Sequence, residues 1–234
     1  MDQAASPTPL VTQMSTRPQA ALAEIVRDAF AEAQAGRGSM DERVYAVHGF
    51  CGRVHRLFFN NLVHAIENPR YLEIGIFRGA TLCAAISNNK VRAMGIDNWT
   101  EYGGKPNEFY ANLLTIRGPE STVSVLEQDF RTVDYAHIGK FNMLFYDGPH
   151  YERDQYDGVV MALPALDDQA VLLVDDWNWN HVRRATLNAL RDTGARLDFM
   201  IEVRTSFDDQ IPSFAYGDSD WHNGMFAAVL SKAL

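Results

Sequence analysis

Three carboxylates and an imidazole stand where they could do chemistry together. Asp147 closes the apolar run FNMLFYD, Asp175 and Asp176 close AVLLVDD, and His150 follows Asp147 by three positions in the string D-G-P-H. Carboxylates brought close repel one another unless a cation neutralises them. An all-oxygen set suits a hard divalent ion, magnesium first, with calcium or manganese as substitutes. A second group lies upstream. The stretch Glu73-Ile74-Gly75-Ile76-Phe77-Arg78-Gly79 puts glycines where a strand turns into a helix, and Asp97 follows Gly75 by 22 residues. Glycines there permit a tight turn and a close approach of backbone to a ligand. An acid at about that interval meets ribose hydroxyls in nucleotide-binding folds. The loop reads E-x-G-x-x-x-G, not the G-x-G-x-x-G that seats a pyrophosphate, so a nucleoside without phosphates fits it better than a dinucleotide.

The elements that must position these residues are legible as rhythm. From Tyr71 onward, short apolar runs (YLEIGI, VRAMGID, TVSVLEQD, FNMLFYD, AVLLVDD, RLDFMIEV and GMFAAVL) are separated by helix-length segments. The first five alternate with helices expected at Ala80 to Ser87, Asn107 to Ile116, a short piece near Val133 to Ile138, and Tyr151 to Leu163. Continuous apolar runs are strands buried on both faces, and the alternation describes an α/β fold with a doubly wound, mostly parallel sheet of seven strands. Ligands bind such sheets beyond the carboxyl ends of the strands, which is where the acids fall. Two amphipathic helices come first. Leu22, Ile25, Val26, Ala29, Phe30 and Ala33 mark one, and Val54 to Ile66, stopped by Pro69, marks the other. The division expected is a disordered tail at 1–18, an N-terminal helical segment at 19–68 and a ligand-binding domain at 69–234.

Glu73-x-Gly75-x-x-x-Gly79 followed by Asp97 resembles the first motif and ribose acid of the class I S-adenosylmethionine-dependent methyltransferases, over about Tyr71 to Leu234. The resemblance implies a Rossmann-like fold with an antiparallel last strand, for which GMFAAVL is the candidate. It implies S-adenosylmethionine as cofactor, seated by Glu73, Gly75, Gly79 and Asp97, with Asp129 at the adenine amino group and Phe130 against the base. The acids at Asp147, Asp175 and Asp176 resemble those of catechol and caffeoyl-coenzyme A O-methyltransferases, which hold magnesium with an acid and an acid-amide pair. Asp176 stands here at the place of the amide, which adds negative charge. Sugar O-methyltransferases of macrolide and aminocoumarin biosynthesis, which hold a metal with aspartates, are a second resemblance. The function implied is O-methylation of a small-molecule hydroxyl (sugar, polyketide or phenol), with Asp147 and His150 catalytic. Asp147, Asp175 and Asp176 would hold the cation, and His150 would take the proton. The alternatives are a metal-independent N- or C-methyltransferase, a nucleoside-binding protein without turnover, and a hydrolase or hydroxylase on the same acids.

The remaining residues narrow the partners. With 30 acidic and 21 basic residues the net charge is -9, which repels nucleic acid and anionic lipid. No apolar run approaches the roughly 20 residues of a membrane span. Cys51 and Cys83 lack metal or disulfide spacing, and free thiols in a reducing cytoplasm are expected. Asn98-Trp99-Thr100 matches the glycosylation triplet by chance. His181 belongs to a helix, while His48, His55, His64, His137 and His222 offer no ligand spacing. Trp177 and Trp179 either wall an acceptor pocket or pack under the N-terminal helices. Asp41 to Gly52 and Ser206 to Asn223 are candidate specificity loops, and a homodimer is an expectation drawn from relatives.

Overall fold

Strands buried on both sides divide their side chains between two helical layers, and the central strands of the sheet do this. The structure is a computed structural model that describes residues 8–16, 21–207, 209 and 220–232. Its elements run β1 (Leu10–Ser15), α1 (Ala21–Gln34), α2 (Arg53–Ala65), β2 (Arg70–Ile74), α3 (Ala80–Ile86), β3 (Arg92–Ile96) and α4 (Pro106–Ile116). There follow β4 (Thr122–Leu126), β5 (Phe141–Tyr146), α5 (Glu152–Ala162), β6 (Leu166–Asp175), α6 (Asn180–Thr193), β7 (Arg196–Arg204) and β8 (Met225–Ser231). In β5, Met143 and Phe145 join the core under α1 to α4, whereas Leu144 and Tyr146 join the core under α5 and α6.

The sheet order is β1-β7-β8-β6-β5-β2-β3-β4. Strands β2 to β6 are mutually parallel, and β8 lies antiparallel between β6 and β7. From β2 the chain winds outward through β3 and β4, then returns to place β5 on the other side of β2. The switch point is therefore the gap between β2 and β5, and a ligand crevice opens there.

Two expectations are corrected. The sheet has eight strands, not seven, because Leu10–Ser15, inside the stretch read as a tail, pairs antiparallel with β7 from Leu10↔Arg204 to Ser15↔Phe199. This strand satisfies main-chain groups at a sheet edge and buries little, with only Val11 turned toward the core. It therefore lacks the alternation by which strands are recognised. The helix expected at Val133 to Ile138 is absent. A single 3-10 turn, Phe130–Thr132, stands upstream of it, started by Asp129, whose carboxylate accepts the Arg131 N–H at 2.9 Å.

The N-terminal helices cover the chain's own sheet. Phe59 of α2 meets Phe145 edge-on at 4.6 Å between centroids, and Phe30 of α1 stacks on Trp221 at 5.1 Å. Among the described residues no helix is long and apolar enough to cross a membrane. Phe59 is 1% exposed. Phe59→Ala is expected to cost about 3–5 kcal/mol in urea unfolding, the usual range for emptying a buried aromatic site. A loss below about 1 kcal/mol would show that α2 does not close this face.

Candidate functional site

The glycine turn exists because two strand ends touch. Gly75 leaves β2 with φ 91°, and a Cβ there would collide with the carbonyl oxygen of Asp147 at the end of β5. Its N–H donates to Ile96 O at 2.9 Å, and the Asp147 N–H donates to Ile74 O at 2.8 Å, so both neighbours of β2 are stitched to its end. Gly79 begins α3 with φ 82°, and a Cβ there would press on the Phe109 ring at 2.7 Å. Gly79 thus shapes the turn without lining the crevice.

Asp97 organises the loop it faces. Its Oδ2 accepts the N–H groups of Ile76 and Phe77 at 2.7 and 2.8 Å, and its Oδ1 accepts that of Trp99 at 2.7 Å. Glu73 is placed otherwise than expected. It is fully buried behind the turn, accepting hydrogen bonds from Tyr71 Oη at 2.6 Å and Thr81 Oγ1 at 2.7 Å, and it does not line the cavity. Burial pushes its carboxyl up to about 8, against the two hydroxyl donors. Asp129 and the buried Phe130 do line the cavity. Arg131, with its guanidinium 4.4 Å from the Phe130 ring centre, lies between Asp129 and Asp154.

The strand-end acids come together. His150 Nε2 stands 3.4 Å from Asp147 Oδ1 and 3.3 Å from Asp176 Oδ2, while its Nδ1 lies 3.0 Å from Gln155 Oε1. Desolvation lowers the His150 pKa, but the Asp176 and Asp147 carboxylates outweigh it and hold the imidazole at about 9. Burial raises Asp147 to about 6, with Asp176 adding to the shift and His150 opposing it. Asp175 is driven well above the usual range, first by burial and then by Asp147 and Asp176, and its Oδ1 is buried with no hydrogen-bond partner. Among the described residues no three His, Cys, Asp or Glu side chains are already arranged around a metal position.

One cavity of about 440 Å³ connects the two ends, running from Asp129 and Phe130 past Gly75 and Asp97 to Asp147, His150, Asp175 and Asp176. Its remaining wall holds residues that spacing did not single out: Phe50, Phe77, Tyr102 and His222. Phe50 stacks on Phe77 at 5.5 Å, and Tyr102 and His222 lie against Phe50 at 5.6 and 6.4 Å. Phe77 sits inside the glycine motif, and Phe50 belongs to the Asp41 to Gly52 stretch, so position marked both while residue type did not. Cys51 also borders the cavity. Its Sγ accepts from Arg56 Nε at 3.2 Å, and burial pushes the thiol up to about 12, so it is not a nucleophile there. The two tryptophans part company. Trp177 is fully buried, stacked on Phe226 at 4.1 Å, whereas Trp179 lines the cavity and meets His150 edge-on at 6.0 Å. Most of the Ser206 to Asn223 stretch lies outside the described residues.

Known proteins bear on this arrangement. A family described as a methyltransferase domain matches residues 72–177. Cofactor-bound Rv0187 from MTB is 16% identical with a TM-score of 0.52, and the match covers 92% of each chain. The SAH-bound methyltransferase PaMTH1 from Podospora anserina is 9% identical with a TM-score of 0.50, covering 90% of this chain and 88% of that one. TrmN from Thermus thermophilus is 17% identical with a TM-score of 0.49 over 87% of this chain, which spans 52% of its length. No curated protein matches in sequence. Residues 72–177 thus match a methyltransferase-domain family, and the chain shares its fold with solved S-adenosylhomocysteine- and cofactor-bound proteins.

Two measurements check the geometry. Gly75→Ala is expected to lower Tm and abolish binding of S-adenosylhomocysteine in calorimetry, because its Cβ has no room beside the Asp147 carbonyl. Unchanged affinity would show that the turn relaxes. Glu73 has a folded pKa raised from 4.5 to about 8, so its contribution to stability is complete below about 4.5 and is lost as pH rises through 8. Glu73→Gln, which cannot ionise, should therefore gain in Tm relative to the parent between pH 5 and pH 8.5. An equal offset at both values would mean that Glu73 does not titrate in this range.

Proposed function

We propose that the protein transfers the methyl group of S-adenosylmethionine to a hydroxyl of a small molecule. The observation that carries this reading is the single cavity joining the glycine turn and Asp97 to the acid cluster around His150. Asp97 would hold the ribose, Asp129 the adenine amino group, and Phe130 the face of the base. The acceptor would then lie over Asp147, Asp176 and Trp179, with its oxygen in line with the sulfonium methyl. His150, kept protonated by Asp147 and Asp176, would take the acceptor proton on Nε2 only once a cation neutralises those carboxylates, with Gln155 fixing the ring through Nδ1. The net charge of -9 and the acidic lining favour an acceptor that is not a polyanion.

The chemistry of the three acids, though not their present arrangement, suits a hard divalent cation. Asp147, Asp175 and Asp176 offer only oxygen, and the buried Oδ1 of Asp175 has no hydrogen-bond partner among the described residues. These three residues would hold the ion, which when bound polarises the acceptor oxygen. A second reading, transfer to nitrogen or carbon without metal, is favoured by the position of His150 Nε2 between two carboxylates, where an imidazolium neutralises them.

Calorimetry against S-adenosylmethionine and S-adenosylhomocysteine, with and without magnesium, is the first test. One-site binding lost in Asp97→Ala is expected, and no binding in either condition removes the methyltransferase reading. With hydroxylated acceptors, Asp175→Ala should abolish turnover while leaving donor affinity nearly intact, and chelation should do the same. Turnover that survives chelation supports the metal-free reading.

A further inference from the structure

A chain of amide groups leads from the main chain after β7 to the acid cluster, and its polarity is fixed at its origin. The N–H groups of Thr205 and Ser206 can only donate, and they reach Asn178 Oδ1 at 2.9 and 3.2 Å. Asn178 Nδ2 is thereby turned to donate, to Thr205 Oγ1 at 2.8 Å and to Asn223 Oδ1 at 2.9 Å. With its oxygen engaged, Asn223 must present Nδ2 outward, and it donates to Asp176 Oδ1 at 2.7 Å. Neither amide can flip without breaking the bonds behind it.

The chain is buried and braced. Asn178 and Asn223 are both fully buried. Their main chains are joined by the Asn178 N–H donating to Asn223 O at 3.0 Å, and Thr205 Oγ1 donates to His222 O at 2.7 Å. Asp176 itself leaves β6 in the left-handed region, with φ 55°, a conformation that aspartate adopts more readily than most residues. Of its two carboxylate oxygens, Oδ1 is taken by Asn223, and Oδ2 is the one turned to His150.

We propose that Asn223, held in one orientation by Asn178, is a positioning residue that fixes the Asp176 carboxylate so that Oδ2 alone serves the reaction. The amide chain ends on a charged side chain in the wall of the cavity. The inference rests on the reading of Asp176 as part of the cation and acceptor end of the site.

The test compares the parent protein with Asn223→Ala, Asn223→Asp and Asn178→Ala. Manganese affinity is followed by electron paramagnetic resonance, S-adenosylhomocysteine affinity by calorimetry, and Tm by calorimetric scanning. A partner that orients a metal ligand typically changes metal affinity by 10–100-fold, so a loss of about tenfold or more is expected, with S-adenosylhomocysteine affinity unchanged. Manganese affinity equal to the parent's in a folded variant overturns the proposal. Loss of both affinities in step also overturns it, since a general structural role moves both. If Asn223→Ala does not fold, Asn223→Asp keeps the size, sets a carboxylate against Asp176 and carries the same comparison. A parent protein that takes up no manganese overturns the cation reading instead. Crystal structures of the parent and the Asn223 variant then decide the positioning role: an Asp176 carboxylate that stays in place refutes it, and one that turns away supports it.

Discussion

Everything in the site depends on how closely β2 and β5 approach at their carboxyl ends. Gly75 lies against the Asp147 carbonyl with no room for a side chain, and main-chain bonds from Gly75 to Ile96 and from Asp147 to Ile74 lock three strand ends together. The half of the cavity lined by Asp97, Asp129 and Phe130 is built on one side of that contact and the acid cluster on the other. Reversal of strand order opens the gap, and these hydrogen bonds fix its width. A loop-built pocket would have no comparable constraint, because the ladder that registers the strands also registers the ligand-facing residues.

The cavity is strongly acidic, and most of its acids have identifiable partners. Asp97 accepts three main-chain N–H groups, Asp129 and Asp154 share Arg131, and Asp147 and Asp176 share His150. Asp175 is left with a proton or an incoming cation as its remedy, since burial makes an unpaired carboxylate costly. The need for a neutralising partner therefore grows from Asp97, which main-chain N–H groups serve, to Asp175, whose Oδ1 has no partner among the described residues.

The parallel core was legible because its signal is physical and local. Strands such as FNMLFYD must be apolar on both faces, and the acids that close them mark the crevice edge. The glycine turn was legible for the same reason, since few residues tolerate its backbone. What could not be read depended on partners remote in sequence. Glu73 carries the motif position, yet its direction is set by Tyr71 and Thr81, and it points into the core. His222 offers no ligand spacing because it reaches the cavity through a turn beside Trp221 and Asn223. Trp177 and Trp179 are alike in composition and two residues apart, but the turn leaving β6 buries one and exposes the other to the cavity.

The pairing of β1 with β7 has a consequence for the order of assembly. Residues 10–15 are made well before their partners, residues 199–204, which lie close to the last strand of the sheet in sequence. Contacts so far apart in sequence close the largest loop in the chain, and the entropy of that closure must be met by a sheet that already exists. The first strand of the sequence is thus the one that docks late, onto an edge that the rest of the domain has finished.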